Sequence, residues 1–140
     1  MIGVFESHST KVMMSHLGKM VNLAKADGEF HRNEKRMIRK IGLQNGLDDE
    51  EINYVMAYPD RYNVVPGSKK LRFYQLIDFV GLALQDEVFS EDERRLFKSL
   101  VAQLSFKRAF AGVLMTKIER GLKNQKTKLE IYTDCNSLLD

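Results

Sequence analysis

Two acidic segments carry the residue types and spacing best suited to chemistry. Asp27-Gly28-Glu29-Phe30-His31-Arg32-Asn33-Glu34 and Asp86-Glu87-Val88-Phe89-Ser90-Glu91-Asp92-Glu93 both read Asp-x-x-Phe-x-x-(Asn/Asp)-Glu, 59 positions apart. Carboxylates gathered without thiolates suit a hard divalent cation such as calcium, magnesium or manganese. On this reading Asp27, Glu34, Asp86 and Glu93 are the metal ligands, with Glu29, Glu87, Glu91 and Asp92 close by. A second reading needs no ion. Asp27 and Asp86 end their helices, where the macrodipole disfavours a carboxylate, and the unpaired N–H groups opening the next helix can accept it. Ser90-x-x-Glu93 is a capping box, and Glu34 occupies the same N3 position. Both readings stand. An EF-hand does not: counted from Asp27 or Asp86, the turn glycine becomes Arg32 or Glu91, and the bidentate glutamate becomes Ile38 or Phe97.

Other chemistry is sparse. His8, His16 and His31 share no metal-ligand spacing, and His16 lies near the apolar stripe of the first helix, as a packing residue would. No nucleophile elbow, phosphate-binding glycine loop or Cys/His pair occurs. The single cysteine, Cys135, excludes an internal disulfide and a cysteine-based zinc cluster; it reads as an incidental surface thiol. No catalytic residue and no enzymatic activity are expected.

The elements that position the acidic segments are helices. Met13, Leu17, Met20, Val21 and Ala24 share one face of a helix over about residues 9–27. Gly28 follows it, and a second helix from Arg32 to Asn45 buries Met37, Ile38 and Ile41. Asn45-Gly46 stops that helix, and Asp48-x-x-Glu51 opens a third with Ile52, Val55 and Met56, ending before Pro59. Both prolines fall between Tyr58 and Gly67, the connector. Ser68 caps a fourth helix carrying Phe73, Leu76, Ile77, Val80 and Leu84. A fifth carries Leu96, Phe97, Leu100, Val101 and Leu104. After Ser105, the counterpart of Gly46, a sixth carries Phe106, Phe110, Val113, Leu114 and Ile118. Phe30 and Phe89 read as core plugs at the elbows. With Lys35 and Arg94 at the N4 positions, neither can form a hydrophobic staple.

The expectation is one all-α domain over residues 1–140, a pseudo-twofold bundle of two three-helix units with about six to seven helices in all. The first repeat covers about 10–58, the connector 59–67 and the second repeat about 68–120. In the tail, 121–140, Leu129, Ile131, Tyr132, Leu138 and Leu139 either dock a short helix or the segment is mobile.

Leu23-Ala24-Lys25-Ala26-Asp27-Gly28-Glu29-Phe30-x-x-x-Glu34, followed by Gly46-Leu47-x-x-Glu50-Glu51, resembles the TerB-like family of tellurite-resistance proteins. That family is similar to the N-terminal region of the DjlA membrane co-chaperone. The resemblance spans about residues 10 to 118. It implies pseudo-symmetric helical halves, a divalent-cation site at the acidic loops, and a role in stress response or scaffolding near membranes. Asp27, Glu34, Asp86 and Glu93 match the family's acidic motif. The second copy departs from it, with Glu87 in place of glycine and Gln85 in place of alanine.

Composition bounds the rest. With 44% apolar and 29% charged residues in 140, the chain reads as an ordinary globular protein. The N-terminal residues have no signal-peptide pattern and no 18-residue apolar span occurs, so a reducing cytoplasm is expected. The net charge of +3 is small but uneven: seven basic residues against one acid between Lys107 and Lys128 leave a local surplus of six. Lys117, Arg120, Lys123 and Lys126 would lie near one another on a continuing helix. These observations point to a non-enzymatic interaction domain with an unidentified protein partner and a divalent cation at the loops. The alternative is a basic adaptor contacting nucleic acid or an anionic membrane surface through the C-terminal helix.

Overall fold

The computed structural model describes residues 7–26, 28–86 and 89–140, with Asp86 described by its backbone alone. Among these the chain is all-α: seven α-helices, three short 3-10 turns and no strand. It divides between Pro66 and Gly67 into two compact units. No helix among the described residues is long and apolar enough to cross a membrane.

In the first unit, α1 (His8–Ala24) packs against α2 (Arg32–Gln44) and α3 (Asp49–Ala57). Ser7 opens α1 by accepting the Thr10 N–H at 3.2 Å. Asp48 and Glu51 open α3 with a reciprocal capping box of 2.8 and 2.9 Å. Leu17, Met20, Val21, Ile38, Leu47, Ile52 and Val55 form the core. Met14, not Met13, enters it; Met13, Met37 and Ile41 are only half-buried.

The proline-bearing connector is pinned to α1 and belongs to this unit. The Val64 N–H donates to Ser15 Oγ at 3.0 Å, and Asn22 Nδ2 donates to Asp60 Oδ1 at 2.8 Å. The contact depends on Gly18, since a Cβ there would lie 1.9 Å from the Pro59 carbonyl oxygen.

The second unit is built around α4 (Lys69–Ala83), which packs on α5 (Glu91–Gln103), α6 (Ala111–Lys123) and α7 (Lys128–Cys135). Because neighbours surround it, α4 buries residues on nearly every side, including Phe73, Leu76, Ile77, Phe79, Val80 and Leu82. A buried charge follows: Asp78, whose side chain is 12% exposed, pairs with Lys128 of α7 at 2.8 Å. The tail is a docked helix. Ile131, Cys135 and Leu139 are buried, and Tyr132 packs on Phe73 with centroids 5.6 Å apart, while Leu129 stays outside. Val113, expected inward, is also exposed, because α6 turns Ala111, Leu114, Met115 and Ile118 to the core instead.

The 59-residue offset recurs in the elements themselves. Adding 59 to the ends of α2, 32 and 44, gives 91 and 103, the ends of α5. Both helices stop in a Schellman turn. Leu47 N–H donates to the Gly42 carbonyl and Phe106 N–H to the Val101 carbonyl, each at 3.0 Å. The left-handed residue is Gly46 (φ 89°) in the first and Ser105 (φ 67°) in the second.

Candidate functional site: acidic elbows and a basic cleft

At both elbows the N3 glutamate turns inward onto its own helix start. Glu34 is 0% exposed and its Oε1 accepts the His31 N–H at 3.0 Å. Glu93 is 2% exposed; its Oε1 accepts the Ser90 N–H at 2.9 Å, and Ser90 Oγ accepts the Glu93 N–H at 3.1 Å. A carboxylate here satisfies an otherwise orphaned amide and lies at the positive end of the helix dipole. The capping role is therefore built into both helices. His31 turns its ring to Glu29, with Nε2 3.0 Å from Oε2.

Asp27 and the Asp86 side chain lie outside the described residues. Among those described, no three His, Cys, Asp or Glu side chains gather into a metal-holding group. Calcium takes about six to eight oxygen ligands, so Glu34 or Glu93 can supply only part of a shell. The balance would have to come from Asp27 or Asp86 and from loop carbonyls.

The two phenylalanines stand at N′, and each meets the cation at N4. Lys35 Nζ lies 5.2 Å from the Phe30 ring centroid, and the Arg94 guanidinium carbon 5.7 Å from that of Phe89. A cation–π contact thus occupies the position of the hydrophobic staple. Phe89 is buried, as expected of a plug. Phe30 is only half-buried, with Lys25 Nζ 5.5 Å from its ring centroid as well.

The basic C-terminal segment forms a cleft rather than one continuing helix. The α6 helix ends at Lys123, and Gln125 takes a left-handed conformation (φ 58°). The Lys126 N–H then donates back to the Gly121 carbonyl at 3.0 Å. The reversal brings Lys126 to the same hollow as Lys117 and Arg120, one turn apart on α6. Lys117, Arg120, Gly121, Lys126 and Asp134 line a cleft of about 240 Å³. Lys126 is paired with Asp134 at 2.7 Å, which raises its pKa through the hydrogen bond and the opposite charge. Lys117 and Arg120 have no carboxylate partner among the described residues. Gly121 sets the closeness of the two helices, since a Cβ there would meet the Ile131 side chain at 2.6 Å. Lys123 is engaged with Glu119 at 2.9 Å and faces a neighbouring hollow lined by Thr116, Glu119, Arg120, Lys123 and Asn124.

Cys135 is buried, not a surface thiol, and burial pushes its pKa up against the weaker opposing effect of Lys117. That disfavours the reactive thiolate. His16 is 1% exposed, inside the first unit's α1 face. Sequence reasoning missed Asp134 and Gly121 as cleft residues. It also missed the Thr127-x-x-Glu130 capping box that opens α7, whose bonds are 2.9 and 3.1 Å. That spacing was the available signal for a seventh helix.

Compared with protein-family models, curated proteins and solved structures, the chain matches none. The TerB-like resemblance rests on the residues quoted for it, Leu23 to Glu34 and Gly46 to Glu51.

Proposed function

We propose that this chain is a non-enzymatic, TerB-like helical interaction domain that engages an anionic partner through α6 and the α6–α7 turn. The observation that carries this reading is the contrast in how charges are used. The buried carboxylates Glu34, Glu93 and Asp78 cap helices or meet a lysine. Lys117 and Arg120, by contrast, face a cleft without a carboxylate of their own among the described residues. A stress-related role in a reducing cytoplasm follows from the family resemblance and the lone thiol. Nucleic acid and anionic membrane are the two surfaces to test, using labelled 5′-phosphorylated oligonucleotides and phosphatidic acid vesicles, both of which present terminal phosphate. Binding should weaken steeply between about 50 and 200 mM salt. No binding to either at low salt would overturn the reading.

The second reading is a divalent cation at the elbows, supported by the carboxylates clustered without thiolates along both acidic segments. Calcium, magnesium or manganese should then raise the melting temperature, and Asp27→Asn with Asp86→Asn should abolish the rise. An unchanged wild-type melting temperature removes this reading.

A further inference from the structure

We propose that the cleft between α6 and α7 is a binding site for a terminal phosphate group, a monoester dianion held by Lys117, Arg120 and Lys126. This rests on the reading of the basic face as a contact surface and specifies its ligand chemistry. Charge comes first. Three cations against the one carboxylate of Asp134 leave a surplus of two charges in the lining. A phosphate monoester carries about −1.5 to −2 at pH 7, so it matches that surplus. A phosphodiester linkage, with a single charge, leaves it half-met.

Size points the same way. The cleft has a volume of about 240 Å³. It falls below the roughly 300–1,000 Å³ of pockets that enclose drug-sized ligands. The cleft itself has room for a phosphate group with part of its hydration. The donors are also of the right kinds. Arg120 offers the planar fork that grips two phosphate oxygens, and the two lysines act as point charges.

The neighbouring hollow shares Arg120, and its Lys123–Glu119 pair leaves it otherwise balanced. It suits the uncharged remainder of the molecule that bears the phosphate. Asp134 has a separate part. It holds Lys126 at 2.7 Å with both side chains about half exposed (42% and 46%). An arriving phosphate competes with it for the same ammonium. Asp134 therefore weakens binding, and removing its charge should strengthen it.

The test is amide-resolved NMR titration of the full chain with inorganic phosphate, glycerol phosphate and dimethyl phosphate at constant ionic strength. Saturable shifts at Gly121 and Lys126 are expected with the first two and not with the diester. Inorganic phosphate binding as tightly as glycerol phosphate would identify the free ion as the source; tighter glycerol phosphate would identify an esterified group. Arg120→Gln should weaken binding about tenfold, the fold-change of one charge-assisted hydrogen bond. Asp134→Asn should strengthen it several-fold, a gain that a misfolded variant cannot mimic. Equal affinity for the diester, or an Asp134→Asn variant that binds no better, overturns the proposal. If phosphate moves neither amide while oligonucleotides or vesicles still bind, the phosphate inference fails and the interaction reading survives. If nothing binds, both fail.

Discussion

The α1–α2 and α4–α5 elbows place the same residue types at the same helix positions and yet shield them differently. Each has a buried N3 glutamate returning to its N-cap amide, and each has a phenylalanine at N′ under a cation at N4. Phe89 also meets Phe97 edge-on, with centroids 6.3 Å apart, and is 8% exposed. The counterpart of Phe97 in the first unit is Ile38, which offers no ring, and Phe30 lies half-exposed between two lysines. The local motif sets the cap and the cation contact. The residue two turns into the next helix, Ile38 or Phe97, decides whether the phenylalanine is core. A similar divergence affects buried charge. Asp78 has Lys128 from α7, whereas Lys19, 59 positions earlier, has no hydrogen-bond partner for its buried Nζ among the described residues. The first unit has no described helix corresponding to α7.

The comparison can be broken most sharply at the aromatic pair. Phe89→Ala should cost about 3 kcal/mol, the loss expected for a buried phenylalanine, while Phe30→Ala should cost about 1–2 kcal/mol because part of its ring is already in water. Chemical denaturation of both variants checks this, and equal losses would mean that the elbows are shielded alike.

The helix-ending turns sharpen it with opposite signs. Gly46→Ser should lose about 1 kcal/mol, since an L side chain is strained at positive φ. Ser105→Gly at the equivalent turn should gain up to about 1 kcal/mol, less whatever the added backbone freedom of the unfolded chain costs. Two losses, measured by thermal melts, would show that Ser105 is held by something its backbone angles do not reveal.

The smallest effect concerns Lys19. Burial lowers its pKa from the ordinary lysine value of 10.5, so folding disfavours the ammonium relative to the unfolded chain. The stability linked to that amine is present above the unfolded-state pKa and is lost as pH falls through the folded-state pKa. Lys19→Met should therefore be more stable than the natural chain at neutral pH, by less than about 1 kcal/mol for a partly exposed group. The difference should shrink as pH rises towards 10.5. A variant that loses stability at neutral pH would show that the ammonium is paired.

What local spacing determined was the helices and their ends. The i, i+3, i+4 pattern and the Ser-x-x-Glu and Asp-x-x-Glu boxes place α1 to α6 because hydrogen bonds within three or four residues close them. The expected surface thiol at Cys135 and the single helix through Lys126 were illegible errors of the same kind. Burial of Cys135 depends on α7 docking against its unit, and the chain reversal at Gln125 puts a left-handed conformation on a residue other than glycine. Neither carries a short-range signature.

The amino-acid sequence by itself settled that this chain is helical, that its elements recur every 59 residues, and where its charges lie along the chain. Tertiary structure alone decided which charges face solvent unpartnered. It folds Lys126 back beside Lys117 and Arg120, sets Asp134 against it, and brings Lys128 to Asp78. The reason is range: caps and periodicity are closed by neighbours in sequence, whereas a cleft is closed by whichever helix returns to cover it.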